Sequence, residues 1–137
     1  MAEHDHPTAP DYPAVDFRPL ADKIVGTCLR VRPGEVVQIG GGVHNFAFVG
    51  ALAAAVRRAG AFAELNVTSD DLQLETLTTV PLEYLQMVPR HRLKWLEDVN
   101  ALIVTDAVAD PRRALSVPEE RRRAAEAAAG AVPVSYT

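Results

Sequence analysis

Three consecutive glycines, Gly40-Gly41-Gly42, lead into His44 and Asn45. They stand between an apolar run, Glu35–Ile39, and a helical pattern that begins near Val43. A turn between a strand and a helix N-terminus offers backbone N–H groups and a helix dipole, which together can hold a phosphate or carboxylate. A dinucleotide fingerprint needs Gly-x-Gly-x-x-Gly, but its last position here is Asn45, and no P-loop lysine follows. An anion site on Gly41, Gly42, His44 and Asn45 therefore competes with a plain strand-to-helix turn, in which the two polar side chains are caps.

Other groups offer less. Asp70, Asp71, Asp106 and Asp110 follow the C-terminal ends of two expected strands, which is the ligand-binding rim of an open α/β sheet. Paired carboxylates can do acid/base work or hold a divalent cation. The same residues suit helix caps, and Asp110 precedes Pro111 in a turn. His4, Asp5 and His6 could catch a stray metal, but structural zinc wants four ligands held in place. His91, between Arg90 and Arg92, reads as an exposed polar cap with anion binding as the alternative. Cys28, the single cysteine, excludes an internal disulfide and falls on an apolar stripe, where a thiol is buried and inert. The run Arg121-Arg122-Arg123 is offset by Glu119, Glu120 and Glu126 and reads as a solvated helix face. Trp95 and Tyr84 are expected to pack over the sheet. No Ser/His/Asp triad spacing occurs, so no catalytic residue, metal ligand or cofactor is expected.

The elements that must position these groups alternate. Phe17, Leu20, Ile24, Cys28 and Val31 recur at helical spacing, with Asp16 as N-cap and Pro19 in the first turn. Pro33-Gly34 ends that helix, and Glu35–Ile39 is the first strand. A helix over 43–59 buries Phe46, Val49, Gly50, Ala53 and Val56 and stops at Gly60. The strand at 61–68 alternates, with Ala63, Leu65 and Val67 on one face, as an edge strand does. Helices are expected over 69–80, capped by Ser69 or Asp70, then 81–88 and 91–100. The run ALIVTD at 101–106 reads as a central buried strand. Ser116 and Glu119 have capping-box spacing for a helix ending at Gly130, and 132–137 reads as a last strand that Pro133 confines to an edge.

Strands separated by helices imply a parallel sheet with right-handed crossovers. The expected fold is α/β and three-layered, with a mostly parallel four-stranded sheet in the order 2-1-3-4 and helices on both faces. Residues 1–15, with Pro7, Pro10 and Pro13, read as a flexible arm, and 16–137 as a single domain.

The 137 residues suit one domain, and 48% hydrophobic with 23% charged residues is an ordinary globular balance. A net charge of −4 gives no electrostatic footprint for nucleic acid. The acidic N-terminus lacks a signal peptide's cationic start, and no apolar run approaches a bilayer span, so a cytoplasmic location with no membrane partner is expected.

From Leu20 onward the chain resembles the N-terminal domain of the thermophilic-type metalloaminopeptidases, the aminopeptidase T and aminopeptidase S group. The resemblance runs through LADKIVGTCLRVRPGEVVQIGGG, with its Leu-x-Val-x-Pro-Gly-Glu-x-Val stretch from Leu29 to Val37. It continues through VRRAGA, AELNVTSDD and PRHRLKWLEDVNALIVTDAVADPRRALSVPEERRR. The resemblance implies a two-metal site of Glu, His, Tyr and Asp ligands in a larger C-terminal domain. That domain has no counterpart in this sequence, so no catalytic residue carries over. A domain of this ancestry without its catalytic half is expected to bind a peptide or protein through an edge strand, for example presenting a precursor peptide to a modifying enzyme. Val132, Val134 and Tyr136 would alternate along one such edge, and the strand at 61–68 offers the other. The alternative is a truncated or split part of a metalloaminopeptidase. The resemblance also implies self-association, so a homodimer is expected.

Overall fold

The computed structural model describes residues 15–130. A three-stranded parallel sheet, β1 (Val36–Gly42), β2 (Phe62–Thr68) and β3 (Ala101–Val104), has the order β2-β1-β3. This matches the first three places of the expected order. The expected fourth strand, with Val132, Val134 and Tyr136, lies outside the described residues, as does nearly all of the arm over 1–15. Among the described residues the sheet therefore has three strands rather than four.

Val37 and Ile39 of β1 are fully buried beneath α2 (Phe46–Arg58), which contributes Val49, Leu52 and Val56 to the same core. Gly60 ends α2 at φ +82°, where its N–H donates to Arg57 O and the N–H of Ala61 donates to Val56 O. This pair of bonds is a Schellman motif, which needs a residue tolerant of the left-handed region.

α1 (Arg18–Lys23) runs into a wider π turn, Ile24–Cys28, and packs on α2. Ala21 and Val25 are buried there, whereas Leu20 and Cys28 are exposed. The expected burial of Cys28 is thus corrected. The Leu29 N–H reaches back five residues to Ile24 O, so the 3.6-residue stripe no longer holds past Ile24. Phe17 anchors the start of α1 edge-to-face on Phe48, ring centres 5.2 Å apart.

Beyond β2 the packing loosens. α3 (Asp70–Thr79) is capped by Ser69, whose Oγ accepts from Leu72 N–H at 3.1 Å. No residue of α3 is buried, and Leu72 is exposed. α4 (Leu82–Leu85) and α5 (Arg90–Leu96) are short; Leu85, Leu96 and Val99 are buried nearby. A 3₁₀ turn, Pro111–Ser116, precedes α6 (Glu119–Gly130). The expected capping box does not form at Ser116, because its hydroxyl donates back to Arg113 O and closes the 3₁₀ turn. Arg121 is not on a solvated face. Its Nε donates to Leu77 O at 2.5 Å and its guanidinium also reaches Val80 O, so it holds the carbonyls that α3 leaves open at its C-terminus.

Candidate functional site

The three glycines lie within β1, opposite Asn66, Val67 and Thr68 of β2, rather than in a loop after the strand. The expected strand end at Ile39 is corrected to Gly42. The reason is steric. A Cβ at Gly41 would collide with Val49 Cγ2 and come within 2.6 Å of Thr105 Oγ1. One at Gly42 would come within 2.5 Å of the His44 ring and 2.8 Å of Ala107 O. Only glycine lets the end of the central strand approach α2 and the chain leaving β3 so closely.

Asn45 ties these pieces together. Its Oδ1 accepts from Gly42 N–H at 2.9 Å, and its Nδ2 donates to Thr105 Oγ1 at 3.1 Å and to Asp106 O at 2.8 Å. Thr105 Oγ1 in turn donates to Gly40 O at 2.7 Å. Asn45 is thus a clamp between the β1 and β3 exits and makes no side-chain cap on α2. His44 is exposed beside it, on the 3₁₀ turn Val43–Asn45.

The rim carboxylates gather on the same side and are spent as acceptors. Asp70 takes the N–H groups of Ala109 and Asp110 at 3.0 and 2.8 Å. Those two bonds, and more weakly the positive charge of Arg113 and His44, hold its carboxyl below the ordinary aspartate value. Asp110 accepts from the Arg112 side chain and backbone, which lower its pKa likewise. Asp71 pairs with Arg113 at 2.5 Å, and Asp106 accepts from Val108 N–H at 3.1 Å. A shallow cleft of about 260 Å³ lies here, lined by Asp70, Leu74, Leu77, Val108 and Arg113 among others. Much of its wall is apolar, and its charged groups, Asp70, Asp110 and Arg113, are already committed to backbone or to ion pairs. Among the described residues no three of His, Cys, Asp and Glu gather within reach of one ion.

A second cleft, of which the sequence pointed only to the Arg90–Arg92 stretch, lies on the sheet face away from α2. Gln38 stands between Val37 and Ile39 and so points to that opposite face. It lines a space of about 480 Å³ with Glu64 and Asn66 of β2 and His91, Arg92 and Trp95 of α5. Of the two aromatics expected to pack over the sheet, Trp95 stands beside this cleft on the sheet face and is 37% exposed, whereas Tyr84 is 58% exposed and that expectation is corrected. The outer edge of β2 borders the cleft. The Phe62 N–H donates to Glu35 O, toward β1, so alternation turns the N–H and C=O groups of Ala63, Leu65 and Val67 outward. Among the described residues no strand pairs with that edge.

These features define a small parallel α/β domain with a braced rim and, among the described residues, unpaired outer edges at β2 and β3. Among solved structures, part of wild-type AmpT from Thermus thermophilus has the same fold, with a TM-score of 0.64 at 21% identity. The match covers 85% of this chain and 32% of that one, so this chain spans about a third of its length. No family model matches the chain. No curated protein matches it either. Among the described residues no helix is long and apolar enough to cross a membrane.

Proposed function

We propose that this chain is a non-catalytic docking domain of aminopeptidase-like architecture that takes up an extended peptide along the outer edge of β2. The observation that carries this reading is the contrast at the two ends of the sheet's chemistry. The rim carboxylates are engaged as braces, whereas the outward backbone groups of Ala63, Leu65 and Val67 have no strand partner among the described residues. An added strand would satisfy those groups, with main-chain bonds supplying affinity and side-chain pockets specificity. Exposed Phe62 and Leu65 lie along the same strand and offer apolar contact. The test is calorimetry with unstructured peptides against the parent chain and Leu65→Pro. Proline there removes an outward donor and leaves the bonds to β1 intact. Binding in the parent and its loss in the variant, at unchanged thermal midpoint, supports the reading; equal binding in both contradicts it.

The partial coverage of AmpT favours a second reading, a supporting part of a larger or split metalloaminopeptidase. Purification of the native protein separates the two. Metal-dependent aminopeptidase activity that copurifies with the chain supports the second, and a peptide-bound chain without it supports the first.

A further inference from the structure

Gln38 is an unusual residue for the centre of a sheet. It is only 4% exposed, yet its Oε1 has no hydrogen-bond partner among the described residues. An unpaired buried amide oxygen costs free energy, and such groups in folded proteins usually await a ligand, an ion or a water. The cleft that Gln38 lines brings two further groups to it. Asn66, with its amide oxygen turned to the guanidinium, accepts from both Nη atoms of Arg92 at 3.0 and 2.9 Å. That leaves three of the five guanidinium N–H groups, in a fixed plane, without an acceptor among the described residues. Trp95 forms an aromatic wall beside them. His91 on the same helix adds a second nitrogen donor.

We infer that this cleft binds the carboxy-terminal residue of a peptide. The Gln38 amide turns its shielded oxygen into the cleft to accept the main-chain N–H of that residue, the free carboxylate takes the open N–H groups of Arg92, and the side chain lies against Trp95. The chemistry fits because Gln38 needs a donor and Arg92 needs a planar anion, and a terminal residue carries both within one bond of its Cα. Glu64 is the one opposing charge in the cleft. It disfavours a second carboxylate and so gives the inference a signed test. The inference rests on the peptide-docking reading and adds an end-point to it: the last residue leaves the β2 edge beside Glu64–Asn66 and turns onto the sheet face.

Trp95 is the only tryptophan in the chain, so its fluorescence reports on this cleft without labelling. The probes are N-acetyl-L-leucine, with a free carboxylate, and N-acetyl-L-leucinamide, without one. The expected result is saturable quenching by the acid and at least ~10-fold weaker response to the amide, as for loss of a charge-assisted bidentate pair. Arg92→Gln weakens the acid by a similar factor, Gln38→Met weakens it less, and Glu64→Gln tightens it. An unchanged thermal midpoint of each free variant shows that the fold is kept. Equal response to acid and amide, a response indifferent to Arg92→Gln, or weakening by Glu64→Gln overturns the inference; the last would mean an ammonium group sits there instead. A peptide that still binds in Arg92→Gln and is lost in Leu65→Pro sinks the carboxylate site and leaves edge docking standing.

Discussion

The half of the molecule built from β1, β2 and α2 and the half built from α3 to α6 are held together by different forces. In the first, Val37, Ile39, Val49, Leu52 and Val56 are fully buried and the backbone is satisfied by the sheet. In the second, α3 buries nothing, apolar burial is confined to scattered residues such as Leu85, Leu96, Val99 and Val117, and polar ties supplement it: Asp70 on the amides of Ala109 and Asp110, Asp71 on Arg113, Arg121 on the end of α3. Even there Arg122 leaves a buried Nε without a partner among the described residues. Apolar burial is insensitive to pH and salt, whereas exposed ion pairs contribute little and are screened. The first half therefore sets stability, and the second sets the shape of the rim and can be altered at small cost.

That difference can be broken most sharply by paired truncations. Leu52→Ala, in the buried core, is expected to cost about 3 kcal/mol in chemical denaturation. Leu72→Ala, the same change on exposed α3, is expected to cost less than about 0.5 kcal/mol. Equal losses would erase the distinction. Gly41→Ala comes next, at about 2 kcal/mol, because the new methyl meets Val49 and Thr105 in a packed site.

Asp70→Asn tests the polar half through pH. The Asp70 pKa is lowered on folding, so its contribution is present above the ordinary value of 3.8 and is lost as pH falls through the depressed folded value. The gap in thermal midpoint between parent and Asp70→Asn should be open at neutral pH and close on acidification below that value. A gap independent of pH would assign the difference to shape alone. A small effect of opposite sign is expected at Arg30, which follows the π turn at φ 52°. Arg30→Gly relieves a left-handed backbone and is expected to stabilise by about 0.5–1 kcal/mol. A destabilisation would show that the side chain of Arg30 is needed more than its backbone is strained.

What could be read from the sequence was local or periodic. Gly60 as a helix stop, Ser69 as a cap and the strand order β2-β1-β3 follow from turn chemistry, capping and alternation. Stripe counting buries Cys28 because it assumes 3.6 residues per turn, and the π turn breaks that spacing. The glycines were read as a loop because glycine is rare inside strands, and the close approach that demands them involves Val49 and Thr105, far along the chain. The clamp of Asn45 on Thr105 spans 60 residues, and Arg121 reaches Leu77 over 44. No local pattern announces such pairs. Nothing in EVVQI distinguishes Gln38, and only its place opposite α5 makes it notable.

Amide chemical shifts of the labelled chain, followed while an unstructured peptide is titrated in, address the docking reading most directly. The account predicts shifts that cluster on Phe62–Thr68 and on Arg90–Leu96, with slowed exchange at Ala63, Leu65 and Val67 and little change at Gly41, Gly42, Asn45 and Asp70. Shifts concentrated on Gly41–Asn45 and Asp70, with β2 silent, would contradict it and make the rim the working site.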